Sequence, residues 1–296
     1  MKTFSRNDRP VAPKPAIAAN GVQLLKISAW ENAGQAGGDW LWHGFSTRRG
    51  GLSRAYCTAD VAGELNLGFT AADDRETVTA NRRLLTEAVT GSADTPLVTL
   101  RQIHSSVVVT AAGRDAGQDR ASEGDGLMTD EPGLLLGIQT ADCIPVLVAD
   151  REGRVVAAFH AGWRGTVKRI VEAGVERMRL EYGSRPEDLT AAIGPGIGPC
   201  CYAVGGEVLS SFESQFSYAG ELFHEVLAQG QPDTVPGLHV DLVEANRRQL
   251  LAAGVQAQAI HSTGGCTSCH RELFFSHRAS QGHAGRMMSV IGVRPR

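Results

Sequence analysis

Two short apolar runs separated by a polar turn constrain the fold of this chain more than any other stretch. The runs cover residues 144–149 and 155–159, and Asp-Arg-Glu-Gly fills positions 150–153 between them. This pattern is typical of a β-hairpin. If Asp150 and Gly153 close the turn, the numbers of opposed residues sum to 303, which places Cys143 across from His160. Opposed Cβ atoms lie about 4.5–5.5 Å apart, so a thiolate and an imidazole at these positions can share an ion or a proton.

The predicted pairing depends on the register of the hairpin. A shift by one residue would move Cys143 and His160 to opposite faces of the strands. Taken singly, Cys143 is also compatible with a small buried residue and His160 with a hydrogen-bonded strand end. A third histidine, His104, stands between two polar–apolar alternations. Two histidines and one cysteine form the three-ligand set of a catalytic Zn²⁺ site with its fourth position open.

Five motifs resemble those of the YfiH-like family, also called the laccase-domain, polyphenol oxidase or peptidoglycan editing factor family. They are Gln102-Ile-His104, Thr140-Ala-Asp-Cys143, His160-Ala-Gly-Trp-Arg-Gly165, Ile193-Gly-Pro-Gly-Ile-Gly-Pro-Cys200 and Phe274-Phe-Ser-His-Arg278. The resemblance covers about residues 42–293. It implies a single α+β domain with mixed β-sheets layered between helices. It also implies a zinc-dependent purine nucleoside enzyme that carries out phosphorolysis of adenosine, inosine or methylthioadenosine and deamination of adenosine.

A glycine-rich turn with two arginines is the first candidate for binding an anionic substrate. Residues 47–53 read Thr-Arg-Arg-Gly-Gly-Leu-Ser. Backbone N–H groups and guanidinium groups together suit phosphate, although solvated arginines in a hairpin loop fit the same pattern. The resemblance favours Arg48 as a catalytic, phosphate-binding residue, with Arg164 as a second phosphate ligand. It also makes Asn66 a candidate ligand for a ribose hydroxyl or phosphate.

Three further residues have roles that the resemblance leaves open. Asp142 precedes the candidate ligand Cys143 and is either a residue that supports the ligands or a proton carrier. Phe274 and Phe275 are candidates for stacking on a purine base, and Phe275 is the one we assign to substrate binding. A buried core position is expected for at least one of the two.

Periodicity and turn residues predict helices and strands in alternation. Helices are expected at 73–89, 165–182, 207–216, 222–227 and from 241 to just before Gly254. Strands are expected at 22–27, 40–46, 97–100, 107–109, 134–138, 189–193, 255–260 and 288–293. This interspersion, with a central hairpin, favours a mixed sheet over a doubly wound one. The helix after His160 would direct its N-terminal N–H groups towards an anion beside the metal.

Two other enzymes are compatible with the same residues. Two histidines and a cysteine also bind copper in blue-copper sites. A multicopper laccase needs His-x-His pairs for its other coppers, however, and none of the nine histidines forms one. The second alternative is a cysteine hydrolase, such as a peptidoglycan-editing amidase, with Cys143 as nucleophile and His160 as base. His104 separates the hypotheses, because only a metal needs a third converging ligand.

Four of the six cysteines allow one non-catalytic hypothesis. Cys200 and Cys201 are adjacent, and Cys266 and Cys269 form a C-x-x-C pair. Together they could make a structural zinc site, but one C-x-x-C is weak evidence and adjacent cysteines are poorly spaced as ligands.

Composition sets the remaining expectations. A net charge of −3 over 296 residues gives no sign of a nucleic-acid or membrane surface. Residues 1–21 lack the continuous apolar segment of a secretory signal and are expected to be a flexible leader before one catalytic domain over 22–296. The cysteines are then expected to be reduced, and the protein cytoplasmic. The sequence does not indicate the oligomeric state.

Overall fold

The computed structural model describes residues 10–31, 40–57, 63–115, 122–226 and 236–295. In chain order, the strands of these residues are β1 (Ala16–Ile17), β2 (Gln23–Leu25), β3 (Leu41–Ser46), β4 (Arg49–Ser53), β5 (Leu97–Thr99), β6 (Val108–Thr110), β7 (Gly126–Thr129), β8 (Leu135–Thr140), β9 (Ile144–Asp150), β10 (Val155–Ala161), β11 (Leu189–Ile193), β12 (Ala203–Val204), β13 (Phe223–Val226), β14 (Gly237–Val240), β15 (Ile260–Ser262) and β16 (Met287–Val293). The helices are α1 (Ser28–Glu31), α2 (Arg75–Thr90), α3 (Trp163–Val167), α4 (Ile170–Tyr182), α5 (Gly206–Glu213), α6 (Ala219–Leu222) and α7 (Leu242–Ala252).

Two six-stranded mixed sheets form the centre of the molecule. The first has the order β1-β2-β3-β16-β8-β5, and the second has the order β15-β11-β9-β10-β7-β6. A smaller sheet, β12-β14-β13, lies beside them. Antiparallel pairs dominate both large sheets; the first has one parallel pair, β5 with β8, and the second has one at each edge, β6 with β7 and β11 with β15. The predicted mixed architecture is therefore confirmed.

Alternating residues of the same strands supply three apolar cores, so the layers run helix, sheet, sheet, helix. Leu136 and Ile138 of β8 meet Leu147 and Ala149 of β9 between the two large sheets. The other face of β9 packs against α4 and α7, with Val146 among the buried residues. The outer face of the first sheet packs against α2. Because both faces of the central strands are covered, their sequences are apolar throughout rather than alternating.

The central hairpin forms, but the predicted register is wrong by two residues. Asp150 pairs with Val155 and Pro145 with His160, so opposed numbers sum to 305. The turn is longer than expected because the Asp150 carboxylate accepts hydrogen bonds from the backbone N–H groups of Glu152 and Gly153, both at 3.0 Å. A shift of two residues keeps every side chain on its predicted face. Cys143 therefore remains on the His160 side, just before β9 begins.

Three other predictions of secondary structure need correction. The helix expected at 165–182 is divided into α3 and α4 because Arg169 adopts φ +59° between them. Of the helix expected at 222–227, Leu222 ends α6 and Phe223–Val226 form the strand β13, which pairs with β14. The strand expected at 255–260 begins only at Ile260, after a 3-10 turn at Ala257–Ala259.

The boundary expected at residue 22 falls inside the first sheet. β1 lies within the predicted leader and pairs with β2, with Ala16 opposite Leu24. Residues 1–9 of that leader are outside the described residues. Among the described helices, none combines the length and apolar character that a membrane crossing requires.

A buried histidine in β3 makes the stability of this fold depend on pH. His43 is 2% exposed, and its Nε2 accepts a hydrogen bond from the backbone N–H of Ile27 at 2.9 Å. Burial, together with the charges of Lys26 and Arg294, lowers the pKa of His43 to about 3. The imidazole therefore stays neutral in the folded protein under conditions that protonate it in the unfolded chain.

We predict that His43→Gln flattens the dependence of stability on pH between 5 and 6.5. The folded pKa is depressed, so the stabilisation is present above the unfolded pKa of 6.5 and is lost as the pH falls towards 3. The contribution to the slope is at most about 1.4 kcal/mol per pH unit. Chemical denaturation across this range measures it. His283→Gln, at an exposed position, is the control, and an unchanged slope in the His43 variant would contradict the prediction.

Candidate metal centre and adjoining groove

His104, Cys143 and His160 converge on one point. Each offers a ligand atom, and these three atoms lie within 4.8 Å of one another. The imidazole rings of the two histidines meet edge to face, with their centroids 5.0 Å apart. His160 is buried, whereas His104 is exposed on the cavity side. Side chains from three separate segments are thus brought to one site that opens on one side.

A buried carboxylate fixes two of these three ligands. Asp125 is fully buried directly before β7, and its Oδ1 lies 2.8 Å from His160 Nδ1. The same carboxylate accepts hydrogen bonds from the backbone N–H groups of Ile103, His104 and Ser105 and from the Ser105 hydroxyl, at 2.6–3.2 Å. Since Nδ1 of His160 donates to Asp125, its Nε2 is left to face the other two ligands.

The backbone at the site adopts conformations that L-residues rarely occupy. His104 has φ +57° and Asp142 has φ +96°. Such strain persists only where the surroundings enforce it, and it is common at functional sites. Gly162 permits the close approach of the ligands, because a Cβ there would lie 2.7 Å from Cys143 Sγ and 3.2 Å from His104 Cδ2.

The charges of the site favour a thiolate. Burial alone would raise the pKa of Cys143, but the neighbouring His160 and His104 outweigh it and lower this pKa to about 6. Burial would lower the pKa of His160, yet Cys143 and Asp125 raise it to about 9. Burial would likewise raise the pKa of Asp125, but hydrogen bonds from His160 and Ser105 hold it at about 2.

The donor set fits a metal ion. One thiolate and two imidazoles are soft and borderline ligands of the kind that bind zinc and copper. A carboxylate behind a ligating histidine is the usual arrangement that fixes its ring and raises its basicity. The site therefore has ligands of suitable type, already converged, with one of them oriented from behind.

A groove leads away from the three ligands. They line a cavity of about 350 Å³ together with Gln139, Arg286 and the exposed Arg101 and His277. Gln139 and Arg286 also line a second cavity, of about 370 Å³. That cavity shares Tyr56 and His283 with a third, of about 490 Å³. Arginine side chains and the aromatic ring of Tyr56 therefore line a surface that is continuous with the three ligands.

Arg48 lines the third cavity, beyond the one at the ligands. Its guanidinium lies 2.5 Å from the buried carboxylate of Glu64 and donates to the carbonyl groups of Arg271 and Tyr56. It also covers the ring of Phe275, 4.5 Å from the ring centroid. Arg48 is thus held in place, and Glu64 already balances its charge.

Asn66 is fully buried, and its amide uses all of its hydrogen-bonding capacity. Its Nδ2 donates to the carbonyl of Gly68 and to the Asp73 carboxylate, at 3.1 and 2.8 Å. Its Oδ1 accepts from the backbone N–H groups of Gly68 and Arg286, at 3.2 and 2.9 Å. These contacts connect Asn66 to the segment that carries Arg286, which lines the groove.

The other predicted site residues occupy different positions. Arg164 is exposed on α3 and lies over the Trp163 ring, outside the residues that line the ligand cavity. Asp142 accepts hydrogen bonds from the Thr267 hydroxyl at 2.6 Å and from the backbone N–H of Arg278 at 2.7 Å. Phe275 is 2% exposed and contacts Tyr56 edge to face at the third cavity.

Asp125, Arg286 and His277 are not among the site residues predicted from the sequence. Asp125 lies 21 residues beyond His104 and 35 before His160, and only the folding of β7 beside β10 brings it to them. His277 lies in the motif Phe274-Phe-Ser-His-Arg278, and its place in that motif could have identified it as a site residue. Arg286 lies in none of the five motifs.

We predict that Asp125→Asn weakens metal binding about 10- to 100-fold, the usual cost of removing a residue that orients a ligand. The amide lacks the charge that holds His160 and the 103–105 backbone. Competition with a chromophoric chelator measures the affinity. Asp130→Asn, an exposed aspartate next to β7, is the control. Equal affinities for the Asp125 variant and the parent would show that the carboxylate does not support the site.

Known proteins provide an independent comparison. The chain is 39% identical over 258 residues to purine nucleoside phosphorylase YlmD of Geobacillus stearothermophilus, covering 85% of this chain and 89% of that protein. It is 37% identical over 201 residues to adenosine deaminase RL5 of an unknown prokaryotic organism, covering 66% and 74%. The crystal structure of the hypothetical protein YfiH of Bacillus licheniformis superposes with a TM-score of 0.78 at 32% identity, covering 94% of this chain and 97% of that one.

A match to a family model assigns the chain to a protein family. The model described as multi-copper polyphenol oxidoreductase laccase matches residues 42–294, which include all three converged ligands. The region agrees with the 42–293 over which the five motifs resemble the YfiH-like proteins. From the matching model, the relatives and the shared fold, the chain belongs to this laccase-like YfiH family.

Proposed function

We propose that this protein is a zinc-dependent purine nucleoside enzyme. It catalyses phosphorolysis of adenosine, inosine or methylthioadenosine and deamination of adenosine. The observation that carries the proposal is the placement of His104, Cys143 and His160 on the wall of a cavity that is also lined by Arg101 and Arg286. Relatives named purine nucleoside phosphorylase and adenosine deaminase support it. The cavity, of about 350 Å³, lies within the usual range of about 300–1,000 Å³ for small-molecule sites.

Zinc suits the donor set better than copper does. The family model takes its description from copper oxidases, but multicopper chemistry needs histidine pairs that the nine histidines here do not form. The other candidate metal-binding group in the described residues consists of cysteines alone. Zinc bound by two histidines and a thiolate provides Lewis-acid activation of water near neutral pH, which deamination requires.

Two arginines along the groove support the proposed phosphorolysis. We infer that Arg286, which lines both the ligand cavity and the next one, binds phosphate through its guanidinium. Asn66 positions the Arg286 backbone. Arg48 is a second candidate for phosphate binding in the third cavity, where it would have to share its charge with Glu64. Tyr56, which lines the second and third cavities, is the aromatic side chain available to a purine base, and the buried Phe275 contacts it edge to face.

A cysteine hydrolase is a second candidate because of one specific arrangement. Cys143, with its pKa lowered to about 6, lies beside His160, and Asp125 accepts a hydrogen bond from His160 Nδ1. This order of thiolate, imidazole and carboxylate is that of a nucleophile activated by an oriented base. The position of His104 within the same 4.8 Å group favours the metal site, because a nucleophile has no need of a second imidazole there.

We predict that the purified protein converts adenosine to inosine without phosphate, and to adenine and ribose 1-phosphate when phosphate is present. About one Zn²⁺ per chain is expected at the three ligands. Replacing His104, Cys143 or His160 singly by Ala is expected to remove this zinc and both activities together. Chromatography of the products and elemental analysis are the measurements.

Two results would overturn the zinc proposal. If Cys143→Ala keeps the zinc at this site but loses activity, the cysteine acts as a nucleophile instead. If the copper-loaded protein is blue and oxidises phenols at enzymatic rates, the site is an oxidase centre. His261→Ala is the control for replacing a histidine outside the cavity and the ligand group.

We predict that Arg286→Lys raises the phosphate concentration needed for half-maximal phosphorolysis about 10- to 100-fold, because lysine cannot reproduce a planar, bidentate contact. Arg48→Lys is expected to produce a smaller increase, since Glu64 already pairs with Arg48. Deamination consumes water and is expected to change less in both variants. Phosphorolysis rate against phosphate concentration, with deamination followed in parallel, measures each effect.

Arg83→Lys, on the exposed side of α2 and paired with Asp94, is the matched control. Unchanged zinc content in all three variants would show that the metal ligands are intact. A larger effect of Arg48→Lys than of Arg286→Lys would move the phosphate to the third cavity. Identical phosphate dependence in parent and both variants would remove both arginines from the phosphate site.

A further inference from the structure

Four cysteines outside the proposed catalytic site form a second cluster. The Sγ atoms of Cys200, Cys201, Cys266 and Cys269 all lie within 4.8 Å of one another. Cys269 Sγ is 3.5 Å from Cys200 Sγ and 3.4 Å from Cys201 Sγ. Sulfur atoms bound to one tetrahedral zinc at about 2.3 Å are about 3.8 Å apart, whereas a disulfide requires about 2.05 Å. The spacing of the four thiols is therefore that of metal ligands.

A tight turn explains how adjacent cysteines both reach the cluster. The backbone N–H groups of Cys201 and Tyr202 both donate to the carbonyl of Gly198, at 3.0 Å. The turn allows Cys200 and Cys201 to approach Cys269 together, which their adjacency in the sequence does not suggest. The backbone N–H of Gly198 also points to Cys266 Sγ, at 3.2 Å. A backbone donor to sulfur stabilises the thiolate form that a metal needs.

The cluster joins two loops, and both loops form hydrogen bonds with Asp142 in the turn that carries Cys143. We call this turn the catalytic turn. Thr267, next to Cys266, donates its hydroxyl to Asp142 Oδ1 at 2.6 Å. Ile197, on the loop before Cys200, donates its backbone N–H to the Asp142 carbonyl at 2.8 Å. Asp142 has φ +96° and directly precedes the ligand Cys143. Whatever fixes these two loops relative to each other also fixes this strained turn.

We propose that Cys200, Cys201, Cys266 and Cys269 bind a structural zinc ion, which holds the two loops against the turn that presents Cys143. Four thiolates complete the coordination of the ion, so this site has no open position for a substrate. Binding releases the protons of those cysteines that are thiols in the apo protein. The site does not depend on the proposed nucleoside chemistry.

The test uses a protein in which the cluster is untouched. His104→Ala/Cys143→Ala lacks two ligands of the first site, and we expect it to retain about one zinc per chain, half of the parent's content. X-ray absorption at the zinc edge should show four sulfur neighbours at about 2.3 Å. A zinc-free double variant, a mixed nitrogen and sulfur shell, or a disulfide among the four cysteines in protein purified under reducing conditions would each overturn the proposal.

Replacing a cysteine of the cluster should instead remove the structural zinc and leave the first site occupied. Cys269→Ser is expected to lose one of the two zinc ions and to unfold at a lower temperature. Cys57→Ser, which removes a free cysteine outside both ligand groups, should change neither quantity. Full zinc content in Cys269→Ser would count against the site. If that variant does not fold, the double variant above still decides the matter.

The link to the catalytic turn has its own measurement. Thr267→Val removes the hydroxyl that reaches Asp142, and Thr267→Ser keeps it. We expect the valine variant to bind zinc at the first site about 10-fold more weakly, and the serine variant to restore the affinity. In the His104→Ala/Cys143→Ala background, either substitution should leave the four-sulfur spectrum unchanged. Equal affinities at the first site in the two variants would overturn the positioning role.

Discussion

The candidate metal centre depends on one buried carboxylate. Asp125 accepts five hydrogen bonds, one from the His160 ring and four from the segment formed by Ile103, His104 and Ser105. A carboxylate in this position costs free energy unless its partners are complete. Two of these bonds come from His104 and His160, and the other three come from the residues on either side of His104, so the bonds that satisfy Asp125 also fix these two candidate ligands. The hydrogen bonds that allow this charge to be buried are therefore also the ones that build the site.

The layered sheets that position Asp125 follow from features that a sequence displays locally. Strands β9 and β10 are apolar at nearly every position, as strands covered on both faces must be, and their polar turn marks the hairpin. The caps of α2 and α7 are also local, because Asp74 and Asp241 accept from N–H groups three residues ahead. Such signals require only neighbouring residues, so the fold class can be predicted from the amino-acid sequence.

The errors have one local and one distant cause. The hairpin register was wrong because the Asp150 carboxylate accepts from Glu152 and Gly153 within its own turn, which lengthens the loop. The break between α3 and α4 places Arg169 where it binds Glu172 and the carbonyl of Gln215. No spacing in the sequence contains that information. The three converging residues were nevertheless found, because an error of two residues in an antiparallel register keeps the face of each side chain.

The backbone around the ligands shows why such a site needs distant support. His104 and Asp142 both adopt positive φ, each at a cost of order 1–3 kcal/mol. In both cases a carboxylate provides the compensation: Asp125 holds the first residue, and the carboxylate of Asp142 itself binds Thr267 and Arg278. The ligands are therefore held near their bound geometry by the folded chain, so ion binding need not also order them. The stability of the fold offsets this strain, and Cys143 and His160 are carried at the ends of β9 and β10, every residue of which is buried.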